Sequence, residues 1–509
     1  MPLLKPLHTT NAAAVAISDV PMVQISEMKE WLSAKGNAGA TLSALFAYPL
    51  DPAGDSMRLV AVMADQMGGT IELVSAVVDE EYASFTPDCP QAHWFEREIA
   101  EQWGIRPLGH PWLKPIRFHR SYRPPLDAWD RKAEDPLLPC VTDFYRVEGD
   151  EVHEVAVGPV HAGVIEPGHF RFQCHGENVF HLEISLGYQH RGIERALRSG
   201  PGPKTHLMME TLAGDTTIGH ALAYAQIREA LGAAKVPARA QVIRGIALEL
   251  ERLANHVGDL GALAGDVGYL PTASFCGRLR GDFLNLSAML CGSRFGRNLV
   301  TPGGVRFDLE PERVSRFQEK FSEVVLDVEN AIHLLWDSSS VLARFEQTGQ
   351  VVPEIARELG LVGVAARASG IERDIRKDFP RGVFQFHQIP VSTWNTGDVF
   401  GRAYVRWLEI QRSEAFIKTM LRSLPSTPII GECQAPAPDK IVVSLTEGWR
   451  GEICHVALTD HAGKFAWYKV VDPSFHNWMG LAMALREQQI SDFPLCNKSF
   501  NLSYCGHDL

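Results

Sequence analysis

His190, Arg191 and Glu194 put an imidazole, a guanidinium and a carboxylate within five positions, beside Gly192. Glycine lets neighbouring backbone approach closely. Histidine titrates near neutrality and burial can raise a glutamate towards the same range, so this group could relay protons. The same residues would also suit an ion-paired turn at the mouth of a helix. His161 and His169 fall in a loop between two β-type runs. Binding residues concentrate in such loops, and ordinary surface histidines occur there too. Glu249, Arg252 and His256 follow at i, i+3 and i+7, on one face of a helix and beside its apolar stripe. A buried arginine needs a paired partner, so a structural role is expected of these three ahead of catalysis.

Nine cysteines stand at 89, 140, 174, 276, 291, 433, 454, 496 and 505, none of them in a Cys-x-x-Cys pair. Their odd number and wide spacing fit free thiols in a reducing compartment. They do not fit a zinc ribbon or a self-contained iron–sulfur site. Cys496 and Cys505 are expected to be buried or inert rather than ligands.

Three regions position these residues. Residues 1–119 read as a small α/β domain. Within it MRLVAVMA and TIELVSAVV, separated by Met-Gly-Gly, predict a hairpin or neighbouring strands over Ser56–Val78. HWFEREIAEQW predicts a helix over His93–Trp103, stopped by Gly104 and Pro107. Residues 120–150 are Pro-rich and charged and read as a linker. Residues 151–509 read as one large domain. It opens on β-type sequence, Glu151–Phe172 and Val179–Leu186, turning through Gly176-Glu177-Asn178. Across Pro237–Gly265 the residues Val242, Ile246, Leu250, Leu253, Val257 and Leu260 form one stripe at spacings of three and four. Arg313–Phe345 and Val399–Leu424 are further helix candidates, and sheet returns near 440–471.

The chain of 509 residues is long enough to bury a large core, with 45% hydrophobic and 22% charged residues, as in ordinary globular proteins. A formal net charge of −12 argues against nucleic-acid binding and against a basic patch on anionic lipid. No run of 18 or more apolar residues predicts a transmembrane helix, and the first twenty residues read as mature cytosolic sequence rather than a signal peptide.

A series of short motifs runs along the chain in a fixed order. Gly158-Pro159-Val160-His161, Glu166 to Arg171 and His190-Arg191-Gly192-Ile193-Glu194 come first. Glu249 to His256, Thr301 to Arg306, Ala366 to Gly370, Gly397 to Ala403 and Glu447 to Glu452 follow. This ordered set resembles the large subunit shared by complex I, where it forms the quinone site, and by group 4 membrane-bound nickel–iron hydrogenases of the formate hydrogenlyase type. HWFEREIAEQWGIRPLGHP resembles the end of the smaller peripheral complex I subunit, which is fused to the large subunit in such hydrogenases. The resemblance implies an α+β fold: a large, mainly helical domain with flanking antiparallel sheet, preceded by the small α/β domain.

The family's hydrogenases hold nickel and iron on two Cys-x-x-Cys pairs, because soft thiolates select such metals. His220 and Tyr224 set the register for the first pair, which places Ala213 and Thr216 at the cysteine positions. The second pair falls on Asn501 and Tyr504, or in a register shifted by one lets Cys505 fill a single position. No metal and no flavin are therefore expected on this chain. The resemblance implies Glu194, His190, His169 and His220 as relay or catalytic residues, with Arg191 holding local charge. It implies His161, His169 and Gly214 at a quinone-like pocket. Gly214 stands where complex I carries a quinone-contacting tyrosine. Arg252 and His256 would lie near an iron–sulfur cluster of a partner subunit and tune it.

The expected role is a peripheral redox-module subunit of a membrane-anchored, ion-translocating oxidoreductase, NADH:quinone oxidoreductase-like or hydrogenase-like, at the cytoplasmic face of the membrane. Its expected partners are a small iron–sulfur subunit and membrane subunits of the antiporter-like and helical-anchor types. Two alternatives stand beside it: a nickel–iron hydrogenase with atypical ligands, and a non-catalytic scaffold of such a complex.

Overall fold

Alternating branched and aliphatic residues make Met57–Asp65 and Thr70–Val78 antiparallel partners in unbroken register from Met57↔Val78 to Asp65↔Thr70. Thr41–Pro49 extends the sheet on one side and Leu7–Thr9 on the other. Almost every residue of the three long strands is buried, because both faces are covered. The helix Ile25–Asn37, started by a Gln24–Glu27 capping box, packs on this sheet. The computed structural model describes residues 4–50, 56–138, 143–161 and 165–509. Residues 139–142 of the expected linker, 162–164 of the His161–His169 loop, and the first three residues of the N-terminus lie outside the described residues.

His93–Trp103 is the predicted helix, ended by Gly104 in the left-handed region at φ +69°. Its charged residues Glu96, Arg97, Glu98 and Glu101 are buried with the rest. The helix has apolar surface and carboxylates in contact with protein on several sides. Glu96 accepts the backbone N–H groups of Phe85 and Thr86, and Glu101 those of Ile116, Arg117 and Phe118. The N-terminal part thus fastens the chain that leads into residues 120–150. The described residues of that segment form no helix or strand.

The large part opens with a three-stranded antiparallel sheet, Val152–Val157, His169–His175 and Asn178–Ser185. A helical layer follows. Ala238–Asp266 and Leu270–Cys291 pack closely along their length, joined by Pro311–Trp336 and Val399–Arg422. The single helix expected over Arg313–Phe345 is broken at Asp337 and Ser338 into Pro311–Trp336 and Ser339–Phe345. The last sheet runs Phe465–Val471, Gly451–Thr459, Lys440–Gly448 and then Ala14–Ala16 from the N-terminal region. That crossing joins the first residues to the last sheet, and one continuous apolar cluster extends from Val20 to Tyr504. Among the described residues no helix is long and apolar enough to cross a membrane.

Candidate functional site

The three ionisable residues of the His-Arg-Gly-Ile-Glu motif point to three different places. Gly192, at φ +68°, turns the chain into the short helix Ile193–Ala196. Glu194 is buried and accepts from Lys469 Nζ at 2.9 Å, Gln102 Nε2 at 3.0 Å and the Val470 N–H at 3.0 Å. Lys469 also reaches Glu98 at 2.5 Å, and Glu98 pairs with Arg117. Glu194 therefore belongs to a buried chain of alternating charges that ties the His93–Trp103 helix to the last sheet. His190 hydrogen-bonds the Asp508 carbonyl at 2.8 Å and stacks on His119 at 4.9 Å. Burial, reinforced by the Arg117 charge, lowers its pKa to about 4. Arg191 turns outward and donates to the carbonyls of Thr211, Leu212 and Cys505.

His220 lies elsewhere, on the helix Thr217–Leu231, and is fully buried. Its Nε2 is 3.1 Å from Asp472 Oδ2 and its Nδ1 is 3.0 Å from His455 Nε2. His455 Nδ1 in turn lies 2.9 Å from the Tyr468 hydroxyl. One proton assignment satisfies every contact: Tyr468 O–H donates to His455, His455 Nε2–H to His220, and His220 Nε2–H to Asp472. Burial raises the Asp472 carboxyl, but His220 and Arg450 outweigh it and hold the group below the usual range. Burial pushes His455 well down and Tyr468 well up, so both rest neutral. Such a line of four groups can pass a proton by shifting each hydrogen bond in turn.

Local structure fixes each member. Asp472 is the N-cap of Pro473–Ala484 and accepts the Ser474 N–H at 2.9 Å. Gly506 presses on it, since a Cβ there would lie 2.6 Å from Asp472 Cγ. His455 and Tyr468 sit on the neighbouring strands Gly451–Thr459 and Phe465–Val471.

The four positions matching the hydrogenase cysteines do not present a ligand set. Ala213 has no donor atom and is fully buried. The Thr216 hydroxyl is engaged with Asp215 and with the Trp449 indole. Arg450 grips Asp215 through two nitrogens at 2.6 and 2.7 Å. Asn501 donates to Asp259 at 2.5 Å, and Asp259 pairs with Arg406 at 2.7 Å. Tyr504 packs against the backbone of Gly168, where a Cβ would come within 2.5 Å of its ring. Side chains without sulfur, two of them tied to neighbouring charge pairs, thus stand in the place of soft sulfur ligands, and the residues present do not fit a nickel–iron centre. Cys496 and Cys505 are separate, the first buried near Arg402 and the second beside Glu166, with their pKa values raised by burial to about 12 and about 11.

Glu249, Arg252 and His256 are fully buried on one helix face. Arg252 pairs with Glu249 and Glu409, and His256 Nε2 lies 2.8 Å from Glu409. Arg367 joins Glu409 to Glu447, and Arg376 joins Glu249 to Asp374. Burial would raise the Glu409 carboxyl, yet Arg367, His256 and Arg252 hold it well below its ordinary range. Burial and the neighbouring Asp374 charge push Glu447 up to about 7.

His161 and His169 close their loop on its own backbone. His161 Nε2 contacts the Gly168 carbonyl at 2.8 Å and His169 Nδ1 the Gly158 carbonyl at 3.4 Å. His169 Nε2 has no partner among the described residues. Gly214 is exposed, and a side chain there would meet open space. Sequence reasoning missed Asp472, His455, Tyr468, Asp215, Asp259 and Lys469. An Asp-Pro pair opening an apolar helix was the available signal for Asp472.

Residues 19–131 match the family model of the respiratory-chain NADH dehydrogenase 30 kDa subunit, and residues 266–440 that of its 49 kDa subunit. The chain is 30% identical to formate hydrogenlyase subunit 5 of Escherichia coli (strain K12), over 84% of this chain and 77% of that protein. It is also 30% identical to NADH-quinone oxidoreductase subunit 4 of Thermus thermophilus, over 67% of this chain and 90% of that protein. Among solved structures it matches a chain of the membrane-bound sulfane sulfur reductase, an archaeal respiratory membrane complex, with a TM-score of 0.66 at 21% identity, covering 70% of this chain and 99% of that one. The protein belongs to the complex I / formate hydrogenlyase large-subunit family, in the form that carries the 30 kDa-like and 49 kDa-like parts on one chain.

Proposed function

We propose that this chain is the peripheral redox-module subunit of a membrane-anchored, ion-translocating oxidoreductase, and that it carries redox-coupled proton movement along Asp472, His220, His455 and Tyr468. The observation that carries this reading is the unbroken series of hydrogen-bond contacts along that buried line, at 3.1, 3.0 and 2.9 Å. With one proton supplied to Tyr468 and one released from Asp472, a shift along it moves the Tyr468 proton to His455, the His455 Nε2 proton to His220 and the His220 Nε2 proton to Asp472, and all four groups regain their starting charge. Family membership supports the setting: a small iron–sulfur subunit beside the chain, antiporter-like and helical-anchor subunits in the membrane, and a place on the cytoplasmic face. A quinone-like acceptor would approach the His161–His169 loop and Gly214, with Glu194, His190 and Arg191 supporting the fold around it. Arg252 and His256 would set the field felt by the partner's cluster through their buried ion network.

Tyr468→Phe tests the relay, because it removes only the first donor and keeps the ring. The turnover rate of the assembled complex should fall by about a hundredfold or more, the usual worth of a positioned proton-transfer group. Unchanged turnover and ion movement in a fully assembled complex would instead favour a second reading, a docking subunit without chemistry. The Asp215–Arg450 and Asp259–Arg406 pairs, which tie up Thr216 and Asn501 at two of the ligand positions, favour that second reading.

A further inference from the structure

A cavity of 690 Å³ opens where the first residues of the chain meet the last sheet and the starts of two helices. Its apolar wall is Leu222, Leu248, Phe379 and Phe384, with Ala12 and Ala230 leaving room between them. Volumes of this order hold small organic ligands. The floor is charged and buried: Arg376, Glu447, Arg244 and Glu229 are each under a tenth exposed.

Those floor charges are already matched. Arg244 binds Glu229 at 2.5 Å, and Glu229 also accepts the Gly303 N–H at 2.9 Å. Arg376 is held by Asp374 and Glu249, and Glu447 by Arg367 and the Ile375 N–H. Two cations remain at the wall, Arg381 and Lys235. Arg381 is half-buried, and its guanidinium makes no hydrogen bond or ion pair among the described residues. Burial pulls its pKa down, opposed only by the charge of Glu229, which Arg244 already neutralises. A partly desolvated guanidinium without a carboxylate is costly, and its planar fork is shaped to take one. The start of the helix Ala238–Asp266 also faces the space through Gln241 and carries no side-chain cap, adding partial positive charge.

We infer that this cavity is a binding site for a small amphipathic organic anion, a carboxylate on an apolar body, with Arg381 gripping the carboxylate and Leu222, Leu248, Phe379 and Phe384 covering the hydrocarbon. The inference is independent of the relay, since none of its residues belongs to that line.

Octanoate and 1-octanol, the same hydrocarbon length with and without the charge, test it by calorimetric titration of the full chain. Octanoate should bind one per chain, and Arg381→Met should weaken it by about tenfold or more, as expected for loss of a charged hydrogen bond. Arg381→Lys should recover part of that affinity. Ala230→Trp, which fills the cavity from the helix side, should abolish binding while the melting temperature of the chain stays near that of the parent. Octanol binding as well as octanoate, or octanoate binding that survives both Arg381→Met and Ala230→Trp, would overturn the assignment. So would the absence of octanoate binding at millimolar concentration. Octanoate binding to the full chain that is lost in the assembled complex, with Arg381 protected there by another subunit, would overturn it in favour of a protein interface.

Discussion

His220 Nε2 lies 3.1 Å from Asp472 Oδ2, although 252 residues separate the two in the chain. Both are fully buried, so the contact is a commitment of the fold rather than a surface encounter. His220→Ala should leave the Asp472 carboxylate with only the Ser474 N–H and the more distant Arg450 charge. The expected cost is about 1–3 kcal/mol, the desolvation penalty of an abandoned buried partner. Denaturant melting of the purified chain measures it. Turnover of the assembled complex should fall with it, whereas Cys505→Ser, half-buried beside Glu166, should move neither.

Glu194 and Lys469 form a buried pair that Gln102 and Glu98 complete. Lys469→Met would strand the Glu194 carboxylate and leave Glu98 to Arg117, whereas Glu194→Ala leaves Lys469 paired with Glu98. The first is expected to destabilise by about 3–5 kcal/mol, because breaking one side of a buried pair leaves an uncompensated charge, and the second by less. Glu194→Gln keeps the hydrogen bond from Val470 and should cost less than Glu194→Ala. Urea midpoints of the three variants check the order. A catalytic Glu194 would instead make Glu194→Gln inactive in an assembled complex of near-parent stability.

Glu251 gives a pH signature. Its carboxyl accepts the N–H groups of Ile218 and Gly219 at 2.7 and 3.2 Å. Burial, with the Asp215 charge adding to it, raises its pKa from 4.5 to about 8. Between these two values the folded chain holds a proton that the unfolded chain has released. Its contribution to stability is therefore complete below pH 4.5 and is lost as pH rises through 8. Glu251→Gln, which cannot ionise, should flatten the fall in urea midpoint across that window. An unchanged slope would show that Glu251 titrates normally.

Metal content follows from the lack of thiolates at Ala213, Thr216, Asn501 and Tyr504. Chain purified from cells supplied with nickel should contain well under one nickel per polypeptide. Ala213→Cys combined with Thr216→Cys should not raise this to stoichiometry, because Asn501 and Tyr504 still stand at the second pair's positions without thiolates. Elemental analysis decides both, and stoichiometric nickel in the parent chain would restore the hydrogenase reading.

The sequence by itself determined the local architecture and the family. Apolar, β-branched runs parted by Met-Gly-Gly mark the Met57–Val78 hairpin, and side-chain spacing marks the His93–Trp103 helix and the Ala238–Asp266 stripe. The order of the motifs identified the kind of subunit, and the missing cysteine pairs were visible in the same register. Only the tertiary structure decided which polar groups meet. Nothing in the spacing of His190, Arg191 and Glu194 says that they diverge to Asp508, Thr211 and Lys469. Their directions are set by Gly192 and by neighbours from 20 to 318 residues away. His455 and Tyr468 read as ordinary strand residues until the sheet faces them towards His220. A buried charge is tolerated only where the whole fold brings its partner, so the partners of Glu98, Glu194 and Asp472 are properties of packing rather than of sequence distance.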